Sequence, residues 1–361
     1  MLIRAKGIAV GDKSEYLLEP TPEREHQNPK KNQAEVRDEI VTSDLLGCLP
    51  GNGGCARRRW CKRRDQGMGC AYAAFAAVAP DGSLWYTGQM ANKLGRLDPQ
   101  TGQFREYPLK TPESGPHGLV ADRDGNIWFT AVFKGYVGKL NPATGEITEY
   151  HMPDARATDP HTPVFDQQGI LWFTLEESNF VGRLDPHTGE VKLKQVPTAH
   201  AVPYGIVVLP SGVPYFCEFG TNKLASIDPK TMTITEYAVP QGARPRRLAV
   251  APDGTIFYTD YERGYLGHFD PASKKVEEWK SPAGDGSEPY GITVTADGIV
   301  WYSESGVKPN TLVRFDPKTK SFASTPVPSG GGVIRNMAAT KDGRVYLACS
   351  GVNKVGIAQL R

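Results

Sequence analysis

Residues 115–150 read GPHGLVADRDGNIWFTAVFKGYVGKLNPATGEITEY, a segment of short apolar runs separated by turn residues. A short apolar run at 118–121 is followed by 126–131, which carries Trp128 and Phe129. The segments 136–140 and 146–150 then alternate by two, as strands do. The connection Asn-Pro-Ala-Thr-Gly between them has the chemistry of a tight turn, because Asn caps it, Pro presets φ and Gly takes the left-handed position. We therefore predict four short strands here.

The same unit recurs seven times along the chain. The turn glycine before the second strand occurs at Gly82, Gly125, Gly169, Gly212, Gly254, Gly298 and Gly343. An aromatic residue follows each glycine by three positions: Trp85, Trp128, Trp172, Tyr215, Phe257, Trp301 and Tyr346. Four strands per repeat, seven times, predict an all-β protein, a seven-bladed β-propeller. No repeat contains a helical period of ten residues, which excludes a solenoid of helix pairs.

The ring also needs a closing strand. The seventh repeat has strand candidates only at 337–340, 344–348 and 355–360. Residues 15–22 resemble 106–112, the outer strand of the first repeat, so we predict that the segment from Asp12 to Leu18 completes the last blade. This divides the chain into an N-terminal segment 1–22 that supplies the closing strand, an irregular insertion 23–71, and the propeller 72–361.

The insertion has a composition of its own. It holds a basic run at 57–64 and four of the six cysteines, Cys48, Cys55, Cys61 and Cys70. A zinc site, a nucleic-acid patch and a misread gene start are each conceivable. The segment contains no C-x2-C pair and its nearest histidine is His26, which argues against zinc. A solvated, disordered loop fits the composition best.

The overall charge and hydropathy of the chain exclude some classes of function. The 361 residues include 42 Lys and Arg against 40 Asp and Glu, a formal net charge of +2. Such a chain has no global field to attract nucleic acid or an anionic membrane. It also has no apolar run long enough for a membrane span and no signal-peptide pattern near Met1. We therefore expect a cytoplasmic monomer that binds a small molecule and uses neither nucleic acid nor a membrane.

A propeller brings the start of each inner strand and the end of each second strand to one mouth of its central channel, where ligands usually bind. The inner-strand starts place the following residues there: His117, His161, Tyr204, Arg246 and Tyr290, with Ala74 and Arg335 completing the ring. His117 and His161 lie in neighbouring blades and are candidates for acid–base groups or for a polar lining. Cys217 and Cys349, on second strands, are expected to be buried core residues.

The second-strand ends add carboxylates. Glu218, Asp260 and Glu304 occupy this position in blades four to six, and Glu288 precedes Tyr290 by two residues. Clustered carboxylates can hold a hard cation such as Mg²⁺ or Ca²⁺. They can equally pair with nearby arginines around a wet channel, namely Arg244, Arg246, Arg247 and Arg335. Glu288 and Glu304 are the strongest metal candidates, because both belong to one blade.

The repeated motifs resemble those of the streptogramin B lyases, the virginiamycin B lyase family. Gly115-Pro116-His117-Gly118, the Asp-Gly-Asn-Ile-Trp-Phe-Thr of 124–130 and the Val-Gly-Arg-Leu-Asp-Pro of 181–186 carry the resemblance, which covers about 72–361. It implies a seven-bladed propeller and a Mg²⁺-dependent elimination at an ester. In that chemistry the metal polarises the ester carbonyl, a histidine removes the acidified Cα proton, and the C–O bond breaks.

The resemblance also assigns roles to individual positions. The family's two metal-binding glutamates fall on Glu288 and Glu304, its basic histidine falls on Tyr290, and its second functional histidine falls on Arg246. Tyr290 would then be the base and Arg246 would stabilise the developing enolate. His117, His161, Tyr204 and Arg335 would contact the substrate.

We therefore expect a virginiamycin B lyase-like enzyme that carries out Mg²⁺-assisted C–O elimination on an ester or lactone. Two alternatives stay open, because both histidine positions are replaced. One is a metal-assisted, lactonase-like hydrolase, and the other is a non-catalytic propeller that binds a ligand or partner.

Overall fold

The structure, a computed structural model, describes residues 39–44, 73–98, 100–352 and 354–359 of the 361. These residues form 28 strands and one short 3-10 turn at Ser350–Val352, arranged as seven four-stranded antiparallel sheets. The predicted seven-bladed propeller with four strands per blade is confirmed. Among the described residues, no helix is long and apolar enough to cross a membrane.

Each of the first four blades runs outward from the channel in chain order. Blade one contains β2 to β5: Ala73–Val78, Leu84–Gly88, Lys93–Leu97 and Phe104–Pro108. Blade two contains β6 to β9: Pro116–Ala121, Ile127–Ala131, Tyr136–Leu140 and Ile147–His151. Blade three contains β10 to β13: Pro160–Phe165, Leu171–Leu175, Phe180–Leu184 and Val191–Gln195. Blade four contains β14 to β17: Pro203–Val208, Pro214–Glu218, Lys223–Ile227 and Ile234–Ala238.

The last three blades complete the ring. Blade five contains β18 to β21: Pro245–Val250, Ile256–Asp260, Tyr265–Asp270 and Lys275–Lys280. Blade six contains β22 to β25: Pro289–Val294, Val300–Glu304, Thr311–Asp316 and Ser321–Pro326. Blade seven contains β26 to β28, Ile334–Ala339, Val345–Cys349 and Lys354–Gln359, and its fourth strand is β1, Glu39–Asp44.

The closing strand therefore lies before the first blade, as expected, but in a different segment. Residues 39–44 pair antiparallel with 354–359 over six residues, within the part of the chain that we predicted to be irregular. The predicted segment, 12–18, lies outside the described residues, as do the four cysteines and the basic run of the insertion. An outermost strand pairs with only one neighbour, through its backbone, so its sequence is weakly constrained. A resemblance between the sequences of outer strands therefore does not identify the segment that closes the ring.

The repeated residues have clear packing roles. In blade two, Asp122 accepts hydrogen bonds from the backbone N–H groups of Asp124 and Asn126 and from the indole of Trp128, at 2.8–3.0 Å. This locks the turn to the buried aromatic residue of the second strand. The adjacent Phe129 lies across from Gly138, where an added Cβ would come within 2.2 Å of the ring. Only glycine leaves room for that ring.

Candidate active site at the channel mouth

Five of the ring residues each accept, at their backbone carbonyl, a hydrogen bond from the preceding blade. In blades one to five, the fourth residue of the second strand, a threonine or cysteine, donates a hydrogen bond to a backbone carbonyl at the start of the next inner strand. The pairs are Thr87 to His117, Thr130 to His161, Thr174 to Tyr204, Cys217 to Arg246 and Thr259 to Tyr290, at 2.7–2.9 Å. These five hydrogen bonds connect each of the first five blades to the next one and fix the backbone of the channel mouth.

The two histidines lie in contact at the mouth. The ring centroids of His117 and His161 are 4.1 Å apart with the ring planes inclined by 34°, and the ring of Phe75 meets His117 edge-on at 5.5 Å. Burial, followed by the charge of Arg247, lowers the pKa of His117 to about 3. Burial and the neighbouring His117 hold the pKa of His161 well below its ordinary value. Both rings are therefore neutral near pH 7 and can accept a proton only weakly.

Tyr204 and Tyr290 share a hydrogen bond between their hydroxyl groups across the mouth. Burial raises the pKa of Tyr204, so Tyr204 keeps its proton and donates it to the bond. Burial also acts to raise the pKa of Tyr290, but the charges of Arg246, Arg247 and Arg335 outweigh it and lower the net value. Of the two, Tyr290 is therefore the hydroxyl that ionises more readily.

Arg246 occupies a cage of aromatic rings. Its guanidinium carbon lies 3.8 Å from the ring centroid of Tyr290, 4.3 Å from Tyr261, 4.7 Å from Phe219 and 5.1 Å from Tyr204. Such contacts stabilise a desolvated cation by about 2 kcal/mol or more. The cage places a permanent positive charge directly over the Tyr290 ring.

Glu176 belongs to this site although the sequence analysis did not select it. Its carboxylate oxygen lies 3.2 Å from Nε2 of His161, and its side chain is 25% exposed. Burial, with the charge of Glu177, raises the pKa of Glu176 to about 7. A carboxyl group that titrates near neutrality in a cleft is a candidate acid or base.

A shift of one residue explains why Glu176 was missed. Successive side chains of a strand point to opposite faces. We selected the residue three positions after each aromatic, whereas Glu176, Phe219 and Tyr261 come four positions after it and reach the mouth. Counting one residue further would have found all three.

Of the three carboxylates that we expected at the mouth, Asp260 and Glu304 accept hydrogen bonds from protein donors at both oxygens, whereas Oε1 of Glu218 is buried without a partner among the described residues. Asp260 accepts hydrogen bonds from Arg263 at 2.6 Å and from the backbone of Arg244 at 2.9 Å. Glu218 is bound by the hydroxyl of Thr221 at 3.0 Å, and burial raises its pKa to about 7. The pattern of strand ends therefore predicted the correct end of the channel for these carboxylates. It predicted the wrong face of the strand for their side chains.

Glu288 is the last residue of the loop 281–288, and Glu304 contacts the first residues of the same loop. Glu304 is 1% exposed and binds the start of the loop, accepting from the hydroxyl of Ser281 at 2.6 Å and the N–H of Ala283 at 2.8 Å, and it also accepts from Thr311. Glu288 accepts from the hydroxyl of Tyr261 at 2.8 Å.

Glu288, Glu304 and the hydroxyl of Ser287 are the oxygen donors of this loop that would have to hold a magnesium ion. The hydroxyl of Ser287, beside Glu288, is buried without a hydrogen-bond partner in the described structure. The described residues contain no group of three or more His, Cys, Asp or Glu placed to share an ion. Glu288 and Glu304 would thus supply two carboxylates and water the remaining ligands, an arrangement that Mg²⁺ often adopts. Binding would have to displace hydroxyl groups that now donate to these carboxylates.

The remaining candidates divide between the channel and the core. Arg335 lines the channel and donates to the hydroxyl of Ser350 at 3.2 Å. Cys217 and Cys349 are buried, as expected, and burial raises the pKa of each thiol to about 12. Neither thiol is therefore a nucleophile near neutral pH.

Comparison with known proteins agrees with this architecture. The model of the virginiamycin B lyase family matches residues 66–314. The chain belongs to the virginiamycin B lyase family. No curated protein matches it.

Solved structures of that family share the fold at low identity. Selenomethionine-substituted virginiamycin B lyase from Staphylococcus aureus superposes with a TM-score of 0.76 at 20% identity, covering 90% of this chain and all of that one. A streptogramin B lyase gives 0.76 at 21% identity, over 89% of this chain and 98% of that one. A catalytically inactive histidine-to-alanine variant of the S. aureus enzyme with quinupristin also gives 0.76, at 19% identity over 90% and 100%. At these identities the likeness establishes the fold alone.

Proposed function

We propose that this member of the family is a carbon–oxygen lyase that opens an ester or lactone at the channel mouth. The observation that carries the proposal is the Tyr290 hydroxyl, which accepts a hydrogen bond from Tyr204 beside the caged guanidinium of Arg246. An ordinary tyrosine has a pKa near 10, so only roughly one in a thousand is ionised at pH 7, a cost of about 4 kcal/mol for a base. The three arginines reduce that cost, because each favours the phenolate.

The reaction balances without water. The Tyr290 phenolate takes the proton from the carbon next to a carbonyl, and the C–H electron pair forms a new double bond. The C–O bond at the next carbon breaks, and its electron pair leaves on the carboxylate oxygen. Arg246 stabilises the negative charge that develops on the carbonyl, as preorganised donors do in such sites. The product has the mass of the substrate.

Access to the base needs a side-chain movement. Tyr290 is 1% exposed and lies under Arg246, which is itself half-buried. The substrate therefore reaches the hydroxyl when the guanidinium swings from the ring toward the substrate carbonyl. A Mg²⁺ ion held by Glu288 and Glu304 would supply Lewis-acid polarisation of the same carbonyl.

Glu176 favours a second candidate function, hydrolysis. A carboxylate whose pKa lies near 7, next to a neutral His161, has the right basicity to activate a water molecule. A lactonase-like reaction would add that water across the ester. The third possibility, a non-catalytic propeller, corresponds to an unchanged substrate in the experiment below.

Mass spectrometry of a streptogramin B-type cyclic depsipeptide, incubated with the protein with and without Mg²⁺, distinguishes these functions. Elimination gives a ring-opened product of unchanged mass that disappears in Tyr290→Phe and persists in the control Tyr265→Phe, which removes a hydroxyl of the third strand of blade five. A product heavier by one water that disappears in Glu176→Gln identifies the hydrolase. An unchanged substrate in every reaction contradicts activity on this class of ester.

A further inference from the structure

The central channel below the mouth is a cavity of about 390 Å³, lined by the inner strands of the seven blades. Arginine supplies the only charged side chains among its lining residues in the described structure, at Arg247 and Arg335. Thr162, Thr293 and Asn336 add polar groups, and most of the remaining lining is apolar. The channel is therefore a cationic cavity without a carboxylate.

Arg247 is buried with most of its donors unused. Its side chain is 5% exposed and crosses the channel, with its guanidinium carbon 4.6 Å from the ring of Phe75 and 4.9 Å from that of Tyr204. One nitrogen, Nη1, donates to the hydroxyl of Thr162 at 2.9 Å. Within the described residues, Nε and Nη2 have no hydrogen-bond partner and no carboxylate lies within ion-pair distance. A buried charge left this way is costly unless an opposite charge joins it.

Two neighbours leave the charge of Arg247 uncompensated. Arg335 is a second cation with only the hydroxyl of Ser350 as a side-chain partner among the described residues, and the neutral ring of His117 carries no negative charge. The Nδ1 atom of His117 is also buried without a partner. The lowered pKa of His117 has the charges of Arg247 and Arg335 among its causes, which indicates that both guanidinium groups act on the same space.

We propose that the channel binds a small oxyanion between Arg247 and Arg335. The unused Nε–H and Nη2–H of Arg247 form the edge of a guanidinium, the geometry that pairs with carboxylate or phosphate oxygens. The volume suffices for such an ion with several waters, since each water occupies about 30 Å³. The ion is either free inorganic phosphate or the carboxylate of a substrate or product, and the two share this recognition chemistry. The proposal does not depend on the proposed reaction, because binding alone tests it.

Titration of the full-length protein with sodium phosphate and with sodium acetate, each matched in ionic strength to sodium chloride, tests the site. Calorimetry should show one saturable site for at least one oxyanion. At about one hundred times the Kd, the midpoint of thermal unfolding should rise by roughly 3 °C or more over the chloride control. Saturation by phosphate alone points to an inorganic anion, and saturation by acetate points to a carboxylate ligand.

Two variants and one control variant locate the site. Arg335→Gln should weaken the bound oxyanion about tenfold or more, because a buried charge pair loses one partner. Arg183→Gln, which removes the same charge from the third strand of blade three, should leave the Kd unchanged. Arg247→Lys keeps the charge but removes the planar pair of donors, and should weaken binding as well. Equal responses to oxyanion and chloride, or equal Kd values in Arg335→Gln and Arg183→Gln, would overturn the proposal.

Discussion

The carboxyl group of Glu176 provides a direct test of the electrostatics at the channel mouth. Burial and the charge of Glu177 raise its pKa from 4.5 to about 7 in the folded protein. The folded state therefore holds this proton more tightly than the unfolded chain does. The stability that the protonated carboxyl contributes is fully present below pH 4.5 and is lost as the pH rises through about 7.

The magnitude follows from the two pKa values. At about 1.36 kcal/mol per pH unit, a group with these values changes the free energy of unfolding by about 2.5 kcal/mol between pH 5 and pH 8. Because the side chain is 25% exposed, solvent screening reduces the expectation to about 2 kcal/mol. Glu176→Gln lacks this titration, so the variant should gain about 2 kcal/mol relative to the wild type over that interval.

Urea denaturation of both proteins at pH 5 and pH 8 measures the difference. The pKa of Glu218 is also about 7, but Glu218 titrates in both proteins and cancels. Glu190→Gln is the control, because Glu190 is an exposed carboxyl that pairs with Lys192 on the surface. For Glu190→Gln, we expect the difference in the free energy of unfolding from the wild type to change by less than about 0.5 kcal/mol between pH 5 and pH 8. A variation of the same small size in Glu176→Gln would show that the pKa of Glu176 is not raised in the folded protein.

Three further predictions concern the base, the metal and the fold. Tyr290→His should lower any elimination rate near pH 7, because burial and the arginine charges that favour a phenolate disfavour a protonated imidazole, as they do at His117; a rate equal to or above that of the wild type would contradict the assignment of the base. Glu288→Gln and Glu304→Gln should each abolish calorimetric Mg²⁺ binding if these carboxylates hold the ion, and unchanged binding would place the metal elsewhere. Gly182→Ala should lower stability by about 1–3 kcal/mol, since its Cβ would lie 2.2 Å from the ring of Phe173, and adding Phe173→Leu should restore part of the loss in urea denaturation.

Much of the fold could be predicted from the sequence, because every blade repeats the same local signals. Asp122 closes a turn and binds Trp128, and Gly138 leaves room for Phe129, so the residues that recur are those that fix the geometry. The closing strand at 39–44 could not be located in this way. It adds one edge to the ring through backbone hydrogen bonds, which any sequence can make, and therefore carries no repeat signature.

The candidate site was predictable only as far as its backbone. The ring positions of His117, His161, Tyr204, Arg246 and Tyr290 follow from the repeat register. Which way a side chain leaves the strand, and which rings it meets across the channel, does not follow from the register. The aromatic cage of Arg246 combines rings from three blades, so the sequence of a single repeat does not predict it.

One electrostatic arrangement accounts for the separate features of the mouth and channel. Arg246, Arg247 and Arg335 converge on the axis, and the described structure places no carboxylate within ion-pair distance of any of them. Burial, reinforced by their shared field, lowers the pKa of His117 and keeps its ring neutral, and the field also lowers the pKa of Tyr290 against the effect of burial. In such a site a histidine is a poor cationic acid, whereas a phenol becomes a usable base. In the proposed reaction Arg246 stabilises the phenolate of Tyr290, so we expect the two residues that stand at the family's histidine positions by resemblance to depend on each other.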